Sequence, residues 1–165
     1  MKKKKLSIGN KLLVVLIIVV GSMITFSTQA QSNKEEIDLY QSLFGAEKKA
    51  LIAEFLQLDS SNPFWAIYDE YETERKQLGL NRLELINEYV ENYSTLDDAK
   101  TDEIVAAMMK QKKSSDGLID KYYKKVHKAS GSKVAAQFYH FENYLLSAIR
   151  VAILENIPAI GAMDE

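Results

Sequence analysis

Few side chains in this sequence are equipped for chemistry. There are two histidines, His127 and His140, and no cysteine. Nucleophilic catalysis needs a base beside its nucleophile, most often an imidazole. His127 falls just before a turn signal at Ala129-Ser130-Gly131-Ser132, and His140 lies about two and a half helical turns beyond it. In a hairpin they stand at different heights, so a His–His metal site within one subunit is not expected. Carboxylates recur at i, i+3 or i+4 in Glu70 and Glu74, Glu84 and Glu88, and Glu88 and Glu91. That spacing could serve acid–base work, but Glu-rich helices show it by default, and a solvated face is the simpler reading. The chain is expected not to be an enzyme, and no cofactor or metal is expected.

Two other constellations carry more information. Arg75 and Arg82 fall inside an apolar seam, and Glu142 falls on the wide apolar face of a later helix. A buried unpaired ion costs several kcal/mol, on the order of 3–5. A structural ion pair is therefore expected between Arg75 or Arg82 and Glu142, or a first-helix acid such as Glu47 or Glu54. The aromatic cluster Phe64, Trp65, Tyr68 and Tyr71 has helical spacing, with Phe64 and Tyr68 expected inside. Trp65 is expected at the margin, where its polar tip suits contact with a partner.

Charge is segregated along the chain. Ile67 to Glu103 holds eleven acids and four bases, and Lys110 to Lys133 holds eight lysines and two acids. Neighbouring helices of opposite sign could simply attract each other. The functional alternative is a basic, tyrosine-bearing face, Lys121, Tyr122, Tyr123, Lys124 and Lys125, that meets unfolded or acidic protein clients.

The elements that must position these residues are helical. After residue 33 the only prolines are Pro63 and Pro158, and no Val/Ile/Thr alternation suggests a strand. Apolar residues instead recur three and four apart. The first helix is expected over about 32–58, and the second from Ser61 or Asn62 as cap, with Pro63 at a first helical position, to about Tyr93. The third runs from about Asp98 to Lys128, with an interruption conceivable at Ser114–Gly117. The fourth runs from about Ser132 to Glu155, before Pro158. Short turns between long helices imply antiparallel neighbours, so the fold class is all-α, four long antiparallel helices in a bundle or helical-hairpin cradle. A faint internal echo pairs Trp65, Tyr68, Asp69 and Tyr71 with Phe138, Phe141, Glu142 and Tyr144.

Residues 1–30 read as an export signal. Lys2–Lys5 form a basic start, Leu12–Val20 an apolar run, and Thr28-Gln29-Ala30 a cleavage site after Ala30. The alternative is an uncleaved N-terminal anchor. A single all-α domain is expected over 31–165, periplasmic or secreted, with the membrane involved only through the signal segment. The leading segment holds five lysines and no acid, so against the whole chain's net charge of −2 the remainder stands at −7. Phosphate backbones call for a basic surface, so nucleic acid is not an expected partner. Without cysteine there is neither a lipoprotein anchor nor a disulfide.

An exported, cysteine-free, all-helical chain of this size resembles the Spy/CpxP family of periplasmic chaperones and stress adaptors. That family opens two helices with a Leu-Thr-x-x-Gln motif. The matching places are Leu58–Asn62 (LDSSN) and Ala129–Lys133 (ASGSK), where a Ser-rich turn survives and the Thr and Gln do not. The segments Phe64–Tyr71 and Tyr89–Tyr93 are also similar to those of exported helical proteins of Bacteroidetes-type bacteria. The Spy/CpxP resemblance implies a homodimeric cradle that shields clients without ATP. The expected function is therefore non-enzymatic protein binding, as a periplasmic chaperone or envelope-stress adaptor, with unfolded or acidic clients or an envelope sensor as partner. The alternative is a small-ligand or metal carrier or sensor of the cell envelope.

Overall fold

The computed structural model describes residues 44–159, and among them every regular element is helical. Helix α1 covers 44–56, α2 Phe64–Asn92, a short 3-10 turn Tyr93–Thr95, and α3 Asp98–Asn156. The expected all-α class holds. The count differs: three helices are described, not four, because α3 extends across the expected turn at 129–132. The chain nevertheless breaks there, at Gly131, with φ 83° and ψ 170°. That backbone region is open almost only to glycine. Gly131 thus divides α3 into two arms, and Tyr123 packs edge-on against Tyr139 across the break. The conceivable interruption at Ser114–Gly117 does not occur. The export-signal reading of residues 1–30 lies outside the described residues, as does the expected start of the first helix. No helix among the described residues is long and apolar enough to cross a membrane.

The element ends follow local chemistry. Asn62 Oδ1 accepts from Phe64 N at 3.0 Å and from the Ser130 hydroxyl at 2.9 Å. It thus braces the chain just ahead of α2 and ties it to the break in α3. Pro63, at φ −59°, directly precedes the helix. Asp97 caps α3 by accepting from Lys100 N at 2.8 Å. After Asn156 the chain leaves the helix ahead of Pro158, and Tyr89 and Tyr93 hold it there by donating to the carbonyls of Pro158 and Ala159.

One core takes residues from α1, α2 and both arms. Phe44 and Ile52, Phe64 and Tyr68, Ile119 and Tyr122, and Phe138 and Leu145 all belong to it. Phe64, Tyr68, Tyr71 and Phe138 interlock at ring-centroid distances of 5.2–6.4 Å. Such ring pairs add about 0.5–1.5 kcal/mol each beyond burial. Ile104, Leu118, Ile119, Tyr122, Val126, Phe138, Phe141 and Leu145 of α3 are buried, while Val105, Met108, Val134, Ala148 and Ala152 are half-buried. The internal echo is not kept in environment: Tyr71 and Glu142 are buried, whereas their sequence counterparts Tyr144 and Asp69 are exposed.

Candidate functional site

The residues singled out in the sequence fall into three places. The first is the ionic network in the core. Lys48 has no exposed surface, and its Nζ lies 2.7 Å from Glu142 Oε2 and 2.5 Å from Glu72 Oε1. Glu72 Oε2 accepts from Arg75 Nε at 2.9 Å, and Glu142 Oε2 accepts from the Tyr71 hydroxyl at 2.7 Å. The chain of charges is therefore Glu142, Lys48, Glu72, Arg75, two acids and two bases. A buried partner for Glu142 was expected, but the expected cation was an arginine. Instead Lys48 approaches from α1, and Arg75 reaches Glu142 only through Glu72 and Lys48. Neither Glu47 nor Glu54 takes the expected place: both are exposed. The signal for Lys48 was present, since it lies four residues after Phe44 and four before Ile52, on the apolar stripe of α1.

Electrostatics follow the burial. Burial raises the pKa of Glu142; Lys48 opposes the rise and Glu72 adds to it. Burial would also raise Glu72, but the charges of Lys48 and Arg75 outweigh it and hold Glu72 below the ordinary carboxylate range. Tyr68 and Tyr71 are pushed well up, first by burial and then by Glu142. Among the described residues every buried side-chain nitrogen and oxygen has a hydrogen-bond partner. The network reads as internal structure. A cavity of about 50 Å³ beside it is small for any ligand larger than water.

The second place is the lysine stripe. Lys121 Nζ donates to both oxygens of Glu74 at 2.7 Å, and Lys125 Nζ donates to Glu70 at 2.8 Å. Tyr122 is 1 % exposed and donates to Glu74 at 2.8 Å. Tyr123 is half-buried against Tyr139 and His127, and only Lys124 stands fully out without an ion pair among the described residues. This corrects the expected client-binding face: Tyr122 is a core residue, and Lys121 and Lys125 neutralise acids of α2. Attraction between helices of opposite charge accounts for the stripe. Trp65 lies half-buried at the margin, as expected, and its Nε1 donates to the Asp59 carbonyl at 2.9 Å. His127 and His140 are both exposed, and His127 Nε2 lies 3.1 Å from the Ser132 hydroxyl.

The third place was not foreseen. Toward the far end of α2 the packing opens into an apolar groove of about 340 Å³. Leu85 and Ile86 of α2, Met108 of the first α3 arm, and Ile153, Leu154 and Ile157 at the end of the second supply its walls. Arg82 and Arg150 also line it. Of its apolar lining residues, Leu154 is 71 % exposed. The sequence signal is Arg82, the second arginine of the apolar seam, where an acidic partner is expected. It donates instead to the neutral Ser115 hydroxyl at 3.1 Å. Burial first, then the charges of Arg150 and Arg75, lower its pKa to about 10.

Among the described residues no group of three His, Asp or Glu side chains is placed to hold a metal ion. No protein-family model, curated protein or solved structure matches the chain.

Proposed function

We propose that the chain is a non-enzymatic binding protein of the cell envelope, exported by residues 1–30. In this reading its helical segments form an antiparallel bundle, and the groove between Leu85, Met108 and Ile153 is the working surface. The observation that carries the proposal is the groove itself. A concave, mostly apolar opening with few polar groups is the usual form of a ligand site, and about 340 Å³ lies within the common range of ~300–1,000 Å³.

Of the two functional classes the sequence allowed, the groove favours a carrier over a chaperone. The lysine stripe that would have attracted acidic clients is already paired with Glu70 and Glu74. A chaperone or envelope-stress adaptor keeps one support, the exposed apolar side chains Met109, Val151 and Leu154. Native mass spectrometry of the protein, as isolated without detergent, separates the two when run beside an aggregation assay without ATP. A co-purified small molecule, or an apolar dye whose binding is lost in Leu85→Glu and Ile153→Glu, supports the carrier. Suppression of client aggregation near equal molar ratio, unchanged in those variants, would move the working surface elsewhere.

A further inference from the structure

The polar groups lining the groove are not equivalent. Gln111 donates to the Leu78 carbonyl at 2.6 Å. Lys112 and Arg150 share Asp116, at 3.1 and 2.7 Å. Arg82 is the one left over: among the described residues its hydrogen bond goes to neutral Ser115, and no carboxylate lies within ion-pair distance. Its cationic form is opposed by burial and by two neighbouring guanidinium groups and favoured by Asp116, the acid that Lys112 and Arg150 hold. An incoming anion would add to that favourable charge, and no acid is among the residues lining the groove.

The rest of the lining is mostly apolar. From Arg150 to Ile157 the second arm of α3 advances about 10 Å, with Ile153, Leu154 and Ile157 along the groove. The volume of about 340 Å³ suits one acyl chain rather than the two of a membrane phospholipid. Guanidinium pairs with a carboxylate through two parallel N–H···O bonds, and about 0.8 kcal/mol accompanies each methylene removed from water.

We propose that the groove binds a free single-chain carboxylate of the fatty-acid type, its head on Arg82 and its chain running toward Ile157. The inference rests on the groove being the working site. It goes further by assigning the ligand's charge and shape.

Titration calorimetry tests it with dodecanoate, dodecanol and dodecyltrimethylammonium below their micellar concentrations, and with anionic phospholipid vesicles, on the protein isolated without detergent. The expected result is one dodecanoate per chain, bound at least tenfold more tightly than dodecanol, with the ammonium weakest. Arg82→Met should abolish that preference while leaving dodecanol binding in place, and Arg82→Lys should retain part of it. Equal binding of dodecanoate and dodecanol by the unaltered protein would overturn the anion assignment and leave the groove reading standing. No binding of any single-chain probe would remove both. Binding of vesicles without dodecanoate would make the surface a membrane contact and likewise overturn the proposal. The comparison of probes on the unaltered protein decides the matter even if an Arg82 variant misfolds.

Discussion

Lys48 Nζ lies 2.7 Å from Glu142 Oε2, with Lys48 fully buried and Glu142 almost so. The pair joins α1 to the second arm of α3. It also draws in Glu72, Arg75 and the Tyr71 hydroxyl, so one contact organises three elements. A buried pair of this kind adds little over an apolar substitute, but removing one partner strands the other.

Lys48→Met or Glu142→Leu alone should therefore destabilise the fold by about 3–5 kcal/mol. The double variant should recover much of that loss, because no charge is left stranded. Urea denaturation of the three variants measures it. Strictly additive losses would mean that the two groups act independently.

Stability should fall with acid through Glu72. Lys48 and Arg75 hold its pKa below the ordinary value. Its contribution is thus fully present above the ordinary carboxylate range and is lost as pH falls through the depressed folded value. Glu142 has the opposite sign: its pKa is raised, so ionisation of Glu142 opposes folding, and acidification relieves that cost first. A stability–pH profile should rise slightly as pH drops from neutral and Glu142 is protonated, then fall steeply at or below the ordinary carboxylate range. Glu72→Gln should flatten the steep limb, and an unaltered limb in that variant would assign the acid sensitivity elsewhere.

Two glycines should respond in opposite directions. Gly131→Ala forces a side chain into a backbone region nearly closed to it, at a cost of about 1–3 kcal/mol. Gly117→Ala sits inside a regular helix and should stabilise by roughly 0.5–1 kcal/mol. Neither added Cβ would meet a neighbour within 4 Å, so both effects are effects of the backbone. Thermal unfolding of both variants checks the opposite signs.

Asn62→Ala removes both the acceptor of the Phe64 N–H at the start of α2 and the tie to Ser130. A loss of about 1 kcal/mol is expected from the first, on the scale of a helix-start side-chain acceptor. Ser130→Ala should reproduce only the part due to the tie, and chemical denaturation separates the two.

Charge reversal at Lys121 and Lys125 should leave ligand binding in the groove unchanged. It should lower stability slightly, through lost attraction to Glu74 and Glu70 and new repulsion, with added salt shrinking the difference. Changed binding affinity in the doubly reversed variant, read by the same titration, would show that the stripe takes part after all.

The sequence by itself determined the all-α class, the start of α2 just after Asn62-Pro63, the start of α3 near Asp98 and its end before Pro158. All of these rest on local rules: apolar spacing, capping oxygens, and proline's missing N–H. It also marked Glu142 as a buried charge, because a carboxylate on a wide apolar face has nowhere else to go. The tertiary structure alone decided the partner of that charge. Arg75, Arg82 and Lys48 all lie on or beside apolar seams, and only the packing of α1 against α2 and the second arm brings Lys48 to Glu142. The same holds for the lysine stripe. For Lys121, Tyr122 and Lys125 the sequence allows both a free basic face and attraction to an acidic helix, and only the packing lays Glu70 and Glu74 against them. The groove was the least legible feature, because an opening is a place where side chains from three segments fail to meet. That failure depends on the relative placement of Leu85, Met108 and Ile153, which no local spacing records.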